Sequence, residues 1–356
     1  MSTVTDATPP QLSHRLTAAR LPRWAPAAVA AVSIALGCAI GALGGLKSHL
    51  QWGLISALLF LLIGYLASAQ VEGRRQAKDR FATSLVWVAF ICAVVPLVSL
   101  TLYTVQQGIK AININFLTHS MKGVVATTTP DGGIYHAIIG TIEQVLLATL
   151  IAAPIGLLTA VYLVEYGRGR LAKAVTFFVD VMTGIPSVVA GLFVLSLWNI
   201  ALGFEYSGFS GSLALAILMM PVVVRSTEEM LKLVPNELRE ASYALGVPRW
   251  KTILRIVLPT AVGGITTGVM LAVARITGET APVLMLVFGA DFINSDPFNG
   301  PQQSLPLYIW QQYSMVNNDY GYTRAWGAAL VLIAFVMGLN LIARGIARWR
   351  SPKAGH

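Results

Sequence analysis

Eight apolar runs govern what this chain can become. They occupy roughly residues 27–46, 52–69, 81–105, 137–163, 174–200, 211–224, 259–288 and 325–343, and with their flanks they reach the ~20 residues that cross a ~30 Å hydrocarbon core. Backbone at that depth must satisfy its own hydrogen bonds, so such runs fold as helices. The class is therefore an all-α integral membrane protein. Composition agrees: charged residues are 12% of the 356, against about 25% in a soluble domain. The polar leader is too long, and a second span follows too closely, for the first run to be a cleaved signal.

The cations then orient the spans. Of 25 Lys and Arg residues, twenty fall in alternate segments on one side, four (Lys47, Lys110, Lys122 and Arg324) on the other, and Arg275 inside a span. By the positive-inside rule the crowded side is cytoplasmic, which places both termini of this multi-pass protein there. A charge of +9 distributed this way serves orientation and lipid contact, not nucleic acid. Cys38 and Cys92 lie in apolar runs as small packing residues and support no disulfide framework. His14, His49, His119, His136 and His356 are scattered, so no metal set and no catalytic constellation emerges. Lys47-Ser48 lacks the spacing and strand context of a phosphate-binding loop, so no ATP site is expected in this chain.

The expected organisation is a disordered cytoplasmic tail over 1–26, an N-terminal hairpin with its basic linker over 27–80, a six-span core over 81–350 and a tail over 351–356. Gly37, Gly41 and Gly45 give the first span a small-residue face for close helix approach. Within the core, the most basic loop, 225–258, reads as a short helix between spans. Pro235 suits a first turn, Glu237 and Glu240 favour its positive end, and Gly246 followed by Pro248 stops it. Leu238, Ala241 and Leu245 share one face. Periodicity alone leaves two readings open: docking into a partner's groove, or lying on the membrane surface.

Glu240-Ala241-Ser242, Gly246 three residues on, then Ile256, Leu258 and Pro259 resemble the EAA loop of ABC importer permeases, with Ser242 in place of the usual second alanine. That resemblance implies a coupling helix at Glu240, Ala241, Ser242 and Gly246 held by an ATP-binding subunit. Four further stretches are Gly184-Ile-Pro-Ser-Val-Val-Ala-Gly-Leu-Phe193, Pro221-Val-Val-Val-Arg-Ser-Thr-Glu-Glu229, Tyr162-Leu-Val-Glu-Tyr166 and Arg275-Ile-Thr-Gly-Glu-Thr-Ala-Pro282. They resemble the phosphate-specific members, of the PstA type. The resemblance spans about 81–350 and implies a type I (MetI-like) six-helix permease core, with the hairpin as an addition.

Physical reading of these stretches runs alongside. Pro186, with Gly184, should kink span five, and irregular backbone at that depth must be buried in protein or face a cavity. Ser187 would supply a hydroxyl there. A path-lining role and a purely structural kink both remain open. Arg275 lies roughly 24 Å along its span from Pro259 at ~1.5 Å per residue, too deep for an ordinary loop charge. An intramembrane Arg faces a cavity or a partner, and Glu279, one turn on, is the expected partner. The pair is either self-neutralising structure or an anion gate, since a guanidinium matches phosphate oxygens bidentately. The resemblance adds Thr280 and Ser187 to a substrate path with Arg275 and Glu279. Glu143, ~9 Å into span four, is a possible neighbour of Arg275, and Asp180 is expected to face basic residues structurally.

The resulting expectation is a permease subunit of an ATP-driven phosphate importer. Its expected partners are a second, PstC-type permease, a dimer of ATP-binding subunits holding ATP and Mg, an extracytoplasmic phosphate-binding protein and membrane lipid, with no cofactor in this chain. The alternatives are a permease for molybdate, sulfate or phosphonate, and an ion-coupled secondary transporter, which would need no coupling loop.

Overall fold

The computed structural model describes residues 21–125, 129, 131–315 and 319–350. The 351–356 tail, the first twenty residues of the 1–26 tail, and with them His14 and His356, lie outside the described residues. Among the described residues seven helices are long and apolar enough to cross a membrane, and an eighth span results when one bent pair counts as a single crossing. Among the described residues no sheet forms, and Phe288 and Gln302 make one isolated bridge.

The chain divides into two compact units, Met1–Thr101 and Leu102–His356. The first holds α1 (Ala25–Leu43), α2 (His49–Val71) and most of α3 (Arg74–Gly108). Helices in lipid associate through close packing rather than the hydrophobic effect, which favours small residues at the contact. Gly37 meets Ser56, with a hypothetical Cβ 3.0 Å from the Ser56 Cα, and Gly41 meets the Trp52 ring. Gly45 is different: it lies past the end of α1 at φ +66, with nothing near a Cβ. It therefore serves the turn and not the expected small-residue face. Cys38 and Cys92 are exposed rather than packed, because each points off its helix away from the chain. Glu72 joins the ends of this unit. It accepts from Leu21 N–H at 2.7 Å, Ser68 Oγ at 2.9 Å and Arg80 Nη2 at 2.7 Å. Burial alone would raise its carboxyl, but these donors hold it below the usual range.

The second unit contains α4 (Ile114–Thr118), α5 (Tyr135–Val161), α6 (Gly169–Thr183) and α7 (Ser187–Val194). It continues with α8 (Gly208–Lys232), α9 (Asn236–Ala244), α10 (Arg249–Thr252) and α11 (Leu258–Thr277). It ends with α12 (Ala281–Val287), α13 (Leu305–Ser314) and α14 (Asp319–Arg350). Its centre is the α5–α8 pair. Along α5, Gly140, Gln144, Ala148, Ala152, Gly156 and Ala160 recur every fourth residue, and all are buried. That spacing places them on one ridge; the small residues from Ala148 to Ala160 let α8 approach, while Gly140 and Gln144 meet the Gln302–Gln303 segment. A Cβ on Gly156 would lie 2.8 Å from Val223 Cγ1. Ala148 and Ala152 join Ala214, Met219 and Val223 in one apolar cluster, and Ala160 joins Val224 and Leu231 in the next. Helix α8 runs on to Lys232, so Arg225 lies inside a helix and the connecting loop proper begins after it.

Candidate functional site

At the Arg/Lys-rich end, Pro235 starts α9 and Gly246 stops it. Gly246 takes φ +75, a region that only glycine enters without strain. Its N–H reaches Tyr243 O at 2.9 Å and Val247 N–H reaches Ser242 O at 3.2 Å, which together close the helix end. Three ties fasten this element. Arg239 donates from Nε and Nη2 to Glu165 Oε1 at 3.1 and 2.8 Å, and also to the Val234 and Leu231 carbonyls at 2.7 and 3.0 Å. Ser242 and Thr252 share a hydroxyl hydrogen bond of 2.8 Å. Arg249 sits 5.1 Å over the Tyr166 ring, a favourable stacking of cation on π-face.

These ties turn one face of α9 inward and leave the other outward. Ser242 is buried, whereas Glu240 and Ala241 are exposed, with Leu238 at 41% and Leu245 at 84%. The apolar stripe read from spacing thus points away from this chain. Ser242, in the position of a usual alanine, is explained by its hydroxyl partner. No local pattern in the sequence marks Glu165 for this role. Its side chain is 3% exposed and that of Arg239 12%, so each is the other's compensation in a site that would otherwise disfavour both charges.

The second part of the site comprises two helix breaks. Helices α6 and α7, with its continuation to Ala201, meet at 108°, so span five is broken rather than kinked. Pro186 makes the turn at φ −60, ψ 142. Gly184 caps α6 at that break with φ −88, ψ −5, a conformation open to any residue. Ser187 begins α7 and is partly buried. Span seven is broken too. Helix α11 ends at Thr277, Gly278 caps it, and Thr280 precedes α12. Arg275 is exposed in the last turn, while Glu279 and Thr280 lie partly buried in the break.

The expected Arg275–Glu279 pair does not form: among the described residues Arg275 makes no ion pair. The four-residue rule requires a continuous helix, and this one stops between them, with Glu279 N–H turned back onto Ile276 O at 3.1 Å. The two segments after the breaks pack on each other, since a Cβ on Gly191 would lie 2.9 Å from Pro282 Cα.

Glu143 does not meet Arg275 either. Its carboxylate accepts from Gln302 Nε2, because the 289–304 segment folds back onto α5. Asp180 pairs with Arg225, which also holds Glu228 at 2.7 Å, in keeping with its expected structural role.

Comparison with known proteins gives a consistent result. The family model described as a binding-protein-dependent transport system inner membrane component matches residues 152–356. A phosphate transport system permease protein PstA 1 from Mycobacterium tuberculosis (strain CDC 1551 / Oshkosh) is 52% identical over 272 residues, 76% of this chain and 88% of that protein. Its counterpart PstA from Pasteurella multocida (strain Pm70) is 38% identical over 271 residues, 76% and 94%. Among solved structures, a bacterial alginate ABC transporter in complex with alginate pentasaccharide-bound periplasmic protein aligns over 77% of this chain and 96% of that one. The TM-score is 0.53 at 17% identity, a likeness of fold.

Proposed function

This chain belongs to the binding-protein-dependent transport system inner membrane component family, and from that premise we propose that it is the permease subunit of an ATP-driven phosphate importer. The observation that carries the reading is α9, clamped to the core on one face while its other face presents Leu238, Ala241 and Leu245 outward. An apolar stripe exposed on an anchored helix fits a groove of a soluble partner, here a dimer of ATP-binding subunits that holds ATP and Mg. A secondary transporter has no use for such an element. The chain itself hydrolyses nothing. It pairs with a second, PstC-type permease, both termini face the cytoplasm, and a phosphate-binding protein docks outside.

For substrate, the identity to phosphate transport permeases across three quarters of the chain favours phosphate over molybdate, sulfate or phosphonate. Arg275 is the residue for the anion. It stands at the end of a broken span without a carboxylate, so its guanidinium fork is available to phosphate oxygens. Glu279 and Thr280 lie in the break just after it, and Ser187 starts the segment after the other break. Uptake of radiolabelled phosphate in cells lacking other phosphate importers tests this. Uptake should depend on Arg275, shown by loss in Arg275→Ala at matched membrane levels, and should ignore excess sulfate and molybdate. Uptake abolished by a competitor would move the substrate to that oxyanion, and wild-type transport by Arg275→Ala would remove Arg275 from the path.

A further inference from the structure

Helix α5 carries a polar clamp at each end. At its start, Gln144 Nε2 donates to Gln302 Oε1 at 3.0 Å and to the Gln303 carbonyl at 3.2 Å. Thr141 Oγ1 accepts from Leu305 N–H at 2.8 Å. Gly140 leaves room for the Gln303 carbonyl, which any Cβ would strike. The segment so held has Gln302, Gln303 and Ser304 at 1%, 2% and 3% exposure. At its other end, one turn past Val161, Glu165 holds Arg239 of α9. Tyr135–Tyr166 is one continuous helical run of 32 residues, with Pro154 inside it and a π-helical last turn at Tyr162–Tyr166, about 48 Å at ~1.5 Å per residue. From Ala148 to Ala160 its small-residue ridge packs on α8, which leaves little slack for sliding.

Two other routes across this unit are interrupted, while α8 runs unbroken beside α5. Helix α11 stops at Thr277, and the α6–α7 span bends by 108°. A continuous helix held at both ends and seated along α8 couples the two ends.

We propose that α5 is the transmission rod between the ATP-driven coupling helix and the outer 294–305 segment. Glu165 and Arg239 are positioning residues at the driven end, and Gln144 is one at the working end. This rests on the importer reading above. It places the force from α9 on span four through a side-chain clamp, beyond the two spans to which the loop is joined covalently. Information runs both ways along such a rod, so docking of the binding protein outside should be felt by the ATP-binding subunits through the same residues.

The test uses the complete complex in lipid nanodiscs, measuring ATP hydrolysis with and without phosphate-loaded binding protein. Parallel proteoliposomes report phosphate moved per ATP. Glu165→Gln should keep assembly and basal hydrolysis while stimulation by the binding protein falls about fivefold or more. Gln144→Leu, at the far end from the ATP-binding subunits, should do the same. The double variant should lose no more than the worse single, because both act on one element. Glu165→Asp, which keeps the charge, should recover part of the stimulation.

Unchanged stimulation in an assembled Glu165→Gln complex overturns the proposal, as do losses that multiply in the double variant. Should Glu165→Gln fail to assemble, Gln144→Leu decides alone, and full stimulation there overturns it. A wild-type complex that hydrolyses ATP but moves no phosphate defeats the importer reading, and this inference falls with it.

Discussion

Gly191 and Gly184 look equivalent in the broken span, yet the structure assigns them opposite tolerance. Alanine at 191 would place its Cβ 2.9 Å from Pro282 Cα and 3.3 Å from Pro282 Cβ, where ordinary contact begins at 3.4 Å. Neither neighbour can rotate away, since one is backbone and the other is ring. Helices α7 and α12 must therefore part by about half an ångström, the difference between those distances. Overpacking of this kind costs ~1–3 kcal/mol, equivalent to a shift of about 5–150-fold in the population of the packed state. At 184 the nearest atom to a Cβ is the Val181 carbonyl at 3.5 Å, and φ −88 suits alanine, so the change should stay within about 0.5 kcal/mol. The assay is the initial rate of phosphate uptake at matched membrane levels, with the thermal midpoint of the purified complex. Gly191→Ala should lose uptake about fivefold or more and melt lower, while Gly184→Ala matches wild type. Wild-type uptake by Gly191→Ala, or an equal loss in Gly184→Ala, would refute the packing argument.

Three further outcomes are expected. Arg239→Met leaves Glu165, 3% exposed, without its cation and should destabilise by about 3–5 kcal/mol, whereas Arg239→Met/Glu165→Met should regain most of it; thermal unfolding in detergent measures both. Leu245→Glu alters a residue 84% exposed, so the chain's own stability should move by less than about 0.5 kcal/mol. Retention of the ATP-binding subunit on an affinity column should nonetheless be lost. Ser242→Ala removes the hydroxyl partner of Thr252 at a cost of ~0.5–1.5 kcal/mol, visible as a lower midpoint with uptake preserved.

Much of the fold was legible because the bilayer imposes it locally. Eight apolar runs correspond to seven spanning helices and one bent pair among the described residues, and the asymmetric cations suggest which way round, with no knowledge of the chain's neighbours. The stop at Gly246 and the exposed stripe Leu238, Ala241 and Leu245 were likewise readable, since capping and periodicity are properties of neighbouring residues. Pro186 announced a break by removing a donor. The ridge from Gly140 to Ala160 was also present as a four-residue period of small residues, a signal the reading of Gly37 and Gly41 used in α1 but did not extend to α5.

What the chain could not state alone is how elements meet. Arg275 and Glu279 have the spacing of a helical pair, but Gly278 caps α11 between them, a local stop with Pro282 just beyond it that the spacing rule passes over. Glu143 found Gln302, 159 residues away, and Glu165 found Arg239, 74 away. Both pairings depend on where folded helices and returning loops lie in space. Sequence alone determined the spans and their caps, because backbone hydrogen bonding and lipid solvation act over a few residues. Tertiary structure alone decided which buried charges are paired and which helices are clamped together, because a charge at depth is stabilised by whatever the fold brings within ~3 Å of it.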